Sequence, residues 1–103
     1  MSDSQQILTT EQIDAAGLTG WQFTDDTLQA TFATGDFATG LRLVNLIGES
    51  AESANHHPDV TLTYPKVSVT LSSHDVGGVT GRDVDLASRI SAHADGLGVS
   101  AQS

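Results

Sequence analysis

Residues 60–71 read VTLTYPKVSVTL, and apolar and polar side chains alternate on both sides of Pro65-Lys66. Alternation with a period of two residues places the apolar side chains on one face of a strand, and a proline between two such runs is typical of a turn. The stretch therefore predicts a β-hairpin with one apolar and one polar face. The predicted apolar face consists of Val60, Leu62, Tyr64, Val67, Val69 and Leu71.

The same alternation occurs earlier in the chain, on either side of Asp25-Asp26. Aspartate is a frequent turn residue because its short polar side chain tolerates turn geometry. We therefore predict a first hairpin as well. Its apolar positions are Trp21, Phe23, Leu28, Ala30 and Phe32.

Helical patterns flank and separate the two hairpins. Residues 9–13 begin like a capped helix, and Gly17 follows as a helix-ending residue. Asp36 is a good N-cap for a long amphipathic helix, because its side chain can accept a backbone N–H of the first turn. The predicted apolar side of this long helix consists of Phe37, Leu41, Val44, Gly48 and Ala51.

A last helix is predicted after Gly77-Gly78, with Thr80 as its cap and an apolar stripe. The stripe consists of Leu86, Ile90, Ala94 and Leu97. The order is then α-β-β-α-β-β-α, with strands joined as hairpins. This order predicts an α+β fold in which a four-stranded antiparallel sheet carries helices on one face.

Composition limits the classes of function. A chain of 103 residues predicts a single domain over residues 1–103, and so small a domain gains from a partner subunit. A net charge of −9 repels phosphates and anionic lipid, so we expect no nucleic-acid or membrane partner. The chain has no cysteine and does not begin like a secretion signal, which favours a cytoplasmic protein. Residues 1–6 and 98–103 are expected to fray.

Three of the four histidines belong to one spaced pattern. Glu52 is followed after three residues by His56-His57-Pro58, and His74 and Asp83 follow further on. Two longer motifs accompany them, at residues 64–74 and 78–87. In these spacings and motifs the chain resembles the pterin-4a-carbinolamine dehydratases, over about half of its length. It departs from the family at Thr34, where a second aromatic residue is usual.

The resemblance implies the same α+β fold and a dehydratase, a hydro-lyase that removes water from a 4a-hydroxytetrahydropterin in tetrahydrobiopterin recycling. Histidine suits such proton transfers because its ordinary pKa lies near neutrality. The chemistry requires no metal and no organic cofactor. By resemblance, the catalytic residues are His56, His57 and His74. The pterin-contact positions are Asn55, Ser72, Ser73 and Asp75.

Two carboxylates are candidate supporting residues. Glu52 precedes His56 by four residues, so on a continuous helix its carboxylate would share a face with that imidazole and orient it. Asp83 matches a family position, but Thr80-Gly81-Arg82-Asp83 also resembles a capping box. Both roles of Asp83 remain open from the sequence.

Several residues have simpler explanations. His93 lies outside the pattern and is expected at the surface or an interface, without a catalytic role. Trp21 and Tyr64 could stack on a pterin, but their alternation favours packing in the core or on the sheet. A zinc or iron site is the chemical rival for three histidines near carboxylates. The chain lacks the His-x-Glu and His-x3-His spacings that make chelation easy, so no metal is expected.

The resemblance leaves other functions open. Animal relatives also serve as dimerisation cofactors of a transcription factor, and a different pterin, such as one in molybdenum-cofactor metabolism, is a further alternative. We expect a homodimer or homotetramer, with a functional link to an aromatic amino acid hydroxylase. Retention of all three histidines favours the enzyme, because a scaffold has no physical need for them.

Overall fold

The computed structural model describes residues 6–102. Within them the chain forms helices α1 (Thr10–Ala15), α2 (Phe37–Ala54) and α3 (Gly81–Gly96) and strands β1 (Gln22–Thr24), β2 (Thr27–Ala33), β3 (Asp59–Thr63), β4 (Lys66–Leu71) and β5 (Ser100–Gln102). The sheet order is β1-β2-β4-β3, and every pairing is antiparallel. The predicted α+β class and its four-stranded arrangement are confirmed. None of the helices in this described part is long and apolar enough to cross a membrane.

The fifth strand, β5, was not predicted. It pairs with the second half of β2, on the edge whose first half pairs with β1. The expectation of a frayed end is therefore wrong for residues 100–102, because Gly98 turns the chain with a positive φ of 73° and Val99 is buried. Residues 1–5 and 103, to which the same expectation applied, lie outside the described part of the chain.

The core lies between the helices and one face of the sheet. The strands contribute Leu28, Ala30, Phe32, Val67, Val69 and Leu71, and the helices contribute Leu43, Ile47, Leu86, Ala87, Ile90 and Ala94. The other face of the sheet is polar, because side chains alternate along each strand. On that face the hydroxyls of Thr31 and Ser68 lie 3.3 Å apart on neighbouring strands.

The turn of the first hairpin is formed by the two residues that the sequence indicated. Asp25 and Asp26 both have positive φ, of 54° and 61°. Two consecutive positive φ values characterise the type I′ turn, whose twist matches that of the flanking strands. This geometry sets the β1–β2 register, in which Phe23 faces Leu28.

The second hairpin turns one residue earlier than predicted. Strand β3 ends at Thr63 and β4 starts at Lys66, so Tyr64 and Pro65 form the turn. Tyr64 is 67% exposed, and its expected packing in the core or on the sheet is wrong. The proline explains the shift, because it has no N–H for a strand ladder and its fixed φ suits a turn.

Helix α2 begins where predicted but buries a different side. Asp36 accepts the backbone N–H of Thr39 at 2.7 Å, and the hydrogen bonds from Thr39 hold the pKa of Asp36 below its ordinary value. Phe37 and Leu41, expected on the buried side, are about half exposed. The residues that are buried are Gly40, Leu43, Ile47 and Ala51.

Gly40 explains which side of α2 faces the sheet. A Cβ atom at Gly40 would lie 2.6 Å from Cδ1 of Leu62 and 3.5 Å from Cγ2 of Val67. Only glycine permits this close approach of the helix to β3 and β4. The apolar residues on the other side of α2 are therefore left toward solvent.

Two side-chain hydrogen bonds fix α3 to its surroundings. Nε1 of Trp21 donates to Oγ of Ser91 at 2.9 Å, and the ring of this buried tryptophan meets Phe32 edge to face. The expected core position of Trp21 is confirmed. His93 is half-buried between α2 and α3, with Nε2 at 2.7 Å from Oγ of Ser50, so it joins the two helices.

Substitution of two glycines in α2 tests this packing. Gly48→Ala is expected to raise the free energy of unfolding by about 1 kcal/mol, because a Cβ there meets nothing within 4 Å and alanine favours helix. Gly40→Ala should be about 1–3 kcal/mol less stable than Gly48→Ala, because Leu62 must move. Urea unfolding followed by circular dichroism measures both. Equal gains in stability would show that α2 does not approach β3 so closely.

Candidate active site

The backbone at the end of α2 directs the side chains of the two neighbouring histidines to opposite environments. Asn55 has a left-handed φ of 51°, and the N–H of His56 donates to the carbonyl of Ala51 at 3.1 Å. This is a common helix ending, in which asparagine replaces glycine. His56 is 9% exposed, whereas the side chain of His57 is 57% exposed. One imidazole is therefore directed inward and the other toward solvent.

His56 is held by a buried carboxylate. Its Nε2 lies 2.5 Å from Oδ1 of Asp83, a side chain with no exposed surface. The second oxygen, Oδ2, accepts the backbone N–H of Thr80 at 2.9 Å and the hydroxyl of Ser73 at 2.7 Å. Asp83 thus closes the capping box of α3 and binds His56. The two roles that the sequence left open both occur.

The direction of the hydrogen bonds around Asp83 follows from the protons available. The Ser73 hydroxyl has one proton, and it donates that proton to Asp83. Toward Thr80, whose Oγ1 lies 2.9 Å away, Ser73 must therefore accept. Ser73 and Thr80 are completely buried. Because a carboxylate only accepts, Nε2 of His56 is the donor to Asp83, and Nδ1 is the nitrogen left for a ligand.

Glu52 lies beside a different histidine from the one expected. Its Oε2 is 2.6 Å from Nε2 of His57, in an exposed pair. The expectation that Glu52 orients His56 is wrong, because α2 ends at Ala54 and the left-handed Asn55 turns the next residue away from the helical face. Glu52 and His57 also line an apolar pocket of about 220 Å³ between α2 and β3.

His74 lies on the loop after β4, next to the buried Ser73. Its ring is exposed, and Nε2 is 3.4 Å from the hydroxyl of Ser72. Both side chains line a shallow pocket of about 230 Å³ together with Asp25 and Asp26 of the first hairpin. Ser73, the residue before His74, is bonded to Asp83 and so belongs to the His56–Asp83 cluster. His74 and His57 line different pockets.

Asp75 and Arg82 form an ion pair that sequence reasoning did not predict. Nη2 of Arg82 lies 2.9 Å and 3.2 Å from the two carboxylate oxygens of Asp75. These hydrogen bonds hold the pKa of Asp75 below its ordinary value, and His56 contributes in the same direction through its charge. No signal in the sequence marks Arg82, because the pairing depends on how the intervening loop folds back.

Two of the three proposed site histidines are each paired with one carboxylate. Within residues 6–102 no three His, Asp or Glu side chains converge as a metal site would require. His56 is committed to Asp83 through one nitrogen, and His57 to Glu52. A larger groove of about 680 Å³ lies between α3 and the loop before β1, and its lining contains no histidine.

Known proteins match most of this chain. Residues 6–93 match the family described as pterin 4 alpha carbinolamine dehydratase. A protein of Trichormus variabilis named "Putative pterin-4-alpha-carbinolamine dehydratase" is 46% identical over 80 residues, which cover 78% of this chain and 86% of that protein. A relative of the same name from Nocardia farcinica is 40% identical over 87 residues, or 82% and 92% of the two chains.

Solved structures share the fold. The transcriptional coactivator/pterin dehydratase of Brucella melitensis superposes with a TM-score of 0.82 at 32% identity, covering 86% of this chain and 99% of that one. A pterin dehydratase-like protein described as a RuBisCO assembly factor of the alpha-carboxysome gives 0.59 at 23% identity, over 72% and 86% of the two chains. The latter likeness concerns the fold alone. With its match over residues 6–93, the chain belongs to the pterin-4a-carbinolamine dehydratase family.

Proposed function

We propose that this protein catalyses the dehydration of a 4a-hydroxytetrahydropterin to a quinonoid dihydropterin. The observation that carries the proposal is His56, whose Nε2 is bound to the buried Asp83 and whose Nδ1 is left for a substrate. Family membership supplies the substrate class. The structure contributes a histidine whose ring orientation is fixed before any substrate arrives, as acid–base catalysis requires.

The reaction needs one proton in and one proton out. The C4a–O bond breaks as the hydroxyl leaves with an added proton as water. The lone pair of N5 forms the C4a=N5 bond, and N5 then loses its own proton. No electron acceptor takes part, because the ring system is rearranged rather than oxidised. Two groups that exchange protons with the substrate are therefore sufficient.

We assign the acid role to His56 and His74, which approach the 4a-hydroxyl from different elements of the fold. His57 orients the ring and accepts the N5 proton, and the carboxylate of Glu52, 2.6 Å from its Nε2, supports it. Asp83 is the positioning residue of His56. Of the proposed contact positions, Ser73 is fully buried and bonded to Asp83, so we assign it a supporting role. Asn55, Ser72 and Asp75 remain proposed pterin contacts.

Two proteins of the same fold have names that include functions other than dehydration. A transcriptional coactivator and an assembly factor share the fold, and a binding role of this chain is the second candidate. Exposed Phe37, Leu41 and Tyr64 favour it, because exposed apolar side chains often mark interaction surfaces. We favour the dehydratase over the binding role, since a binding module has no need of a histidine fixed by a buried carboxylate. A cytoplasmic location and a link to an aromatic amino acid hydroxylase belong to the same proposal.

We also propose that the chain forms a homodimer or homotetramer. Strand β3 lies at one edge of the sheet, paired only with β4 among the described strands. An unpaired edge is a template for a second strand. Phe37 and Leu41 project from the neighbouring helix α2, so a second copy could cover both features with one symmetric contact.

Turnover of histidine variants tests the assigned catalytic roles. His56→Ala and His74→Ala should each slow dehydration by about 10²-fold or less, because one acid–base group contributes in this range and the other histidine still acts. The double variant should be slower than either. His57→Ala should chiefly raise KM. Stopped-flow measurement with enzymatically generated 4a-hydroxytetrahydropterin gives these rates.

His93→Gln is the matched control, because His93 lies between α2 and α3 and bonds to Ser50 rather than to the site. It should retain wild-type turnover. Full turnover in both single variants and in the double variant would refute the assignment of the histidines. Equal rates with and without wild-type protein would refute the dehydratase itself.

Asp83→Asn removes the charge of this carboxylate and tests both of its roles. Asp83→Asn should lower the free energy of unfolding by about 1–3 kcal/mol, because an amide cannot accept three hydrogen bonds in place of the carboxylate and leaves a buried group unpaired. Turnover should fall with it, since His56 loses its acceptor. Asp85→Asn, an exposed position on the same helix, should change neither quantity. Urea unfolding and the stopped-flow rate measure them, and wild-type stability in Asp83→Asn would contradict the role of the carboxylate.

The mass in solution tests the proposed assembly. At micromolar concentration the mass from light scattering after size exclusion should exceed that of a monomer, and any tetramer should strengthen with salt, which screens the charge of −9. Leu41→Asp should weaken assembly. Ser53→Asp adds the same charge at an exposed position near the end of α2 and should weaken it less. A monomer mass for the wild type at low and high salt would rule out the assembly.

A further inference from the structure

We infer that Arg82 is a positioning residue, which sets the place of His74 through its ion pair with Asp75. The inference rests on the proposed function for its catalytic meaning. It concerns a residue that acts through the loop carrying His74 and makes no contact with the reacting atoms. Its physical basis is the way in which the first turn of α3 holds that loop on both sides of His74.

Both neighbours of His74 in the chain are bonded to the start of α3. The hydroxyl of Ser73 donates to Asp83 at 2.7 Å, and the carboxylate of Asp75 accepts from Arg82 at 2.9 Å and 3.2 Å. The side chain between them, His74, is exposed. The loop is thus fastened one residue before and one residue after the histidine.

The contacts of His74 itself are too weak to fix its position. The ring of His74 lies 3.4 Å from the hydroxyl of Ser72, which is beyond the usual length of a good hydrogen bond. The backbone turn is closed behind it, since the N–H groups of Val76, Gly77 and Gly78 point to the carbonyl of Ser73. The position of the imidazole therefore depends on how the loop is held.

The same turn of α3 also holds the other proposed acid. Asp83 binds His56 at 2.5 Å, and Arg82 is the residue directly before it. Two adjacent side chains thus set two histidines that come from different parts of the chain. The guanidinium of Arg82 suits this task because its Nη2 donates to both oxygens of Asp75 and its Nε lies 3.4 Å from Oγ1 of Thr80, so that the planar group is held at two points.

An exposed ion pair usually contributes little to stability, so stability is a poor test of this role. Side chains of Arg82 and Asp75 are 26% and 55% exposed. The expected consequence is therefore kinetic: Arg82→Gln should lower kcat for dehydration by about three- to tenfold at little changed KM, a coupling in the range seen for residues that act together. Arg82→Lys should give a kcat between those of the wild type and Arg82→Gln, because it keeps the charge but loses the planar guanidinium, whose Nε lies 3.4 Å from Oγ1 of Thr80.

A double-mutant cycle distinguishes positioning from other roles. If Arg82 acts through His74, Arg82→Gln should lose its effect on kcat in a His74→Ala background and keep it in a His57→Ala background. Arg89→Gln, exposed on the same helix, is the control and should leave kcat unchanged. Asp75→Asn should lower kcat as Arg82→Gln does, and it should also raise KM because Asp75 is a proposed pterin contact. An effect of Arg82→Gln that persists undiminished without His74, or one confined to KM, would overturn the inference.

A second readout does not depend on catalysis. In the proton NMR spectrum of the whole protein, Arg82→Gln should shift or broaden the ring resonances of His74 while those of His93 stay in place. Unchanged His74 resonances would overturn the positioning role even if the dehydratase is confirmed. If the wild type failed to accelerate dehydration but these resonances moved, the proposed function would fail while the structural link from Arg82 to His74 would stand.

Discussion

The rest of the site depends on one buried carboxylate. Asp83 has no exposed surface, and a buried charge is tolerated only when its hydrogen bonds are satisfied. Its partners come from three places: the N-cap of α3, the loop after β4 and His56, two residues after the end of α2. If any one of these segments moved, the buried carboxylate would lose one of the hydrogen bonds that it accepts. The requirement to satisfy Asp83 therefore fixes α3, the His74 loop and His56 relative to one another.

The helix ends strengthen this arrangement. α2 ends and α3 begins at the same side of the fold, since Asn55 and Thr80 both lie next to the His56–Asp83 pair. The start of a helix favours negative charge and its end favours positive charge. Asp83 in the first turn of α3 agrees with that preference. Glu52 near the end of α2 does not, but its carboxylate has a hydrogen-bond partner in the imidazole of His57.

Much of the fold could be predicted because it rests on local rules. Alternation gave the strands, Asp25-Asp26 the first turn, and Asp36 and Thr80 the helix starts. The predictions failed where local rules allowed two answers. α2 is apolar on more than one side, and only the approach permitted by Gly40 decides which side is buried. Strand β5 is short and small in its side chains, so its pairing with β2 has no periodic signal.

The same distinction holds within the site. The spacing of the histidines could be read directly, and it predicted the candidate residues. Their partners could not be read so simply, because they depend on backbone conformation at single residues. The left-handed backbone of Asn55 is enough to place His57, rather than His56, beside Glu52. The closed turn at residues 73–78 brings Asp75 to Arg82. Candidate catalytic side chains can therefore be proposed from a spaced pattern that resembles a known family, whereas the residues that position them are seen only when the turns between the elements are known.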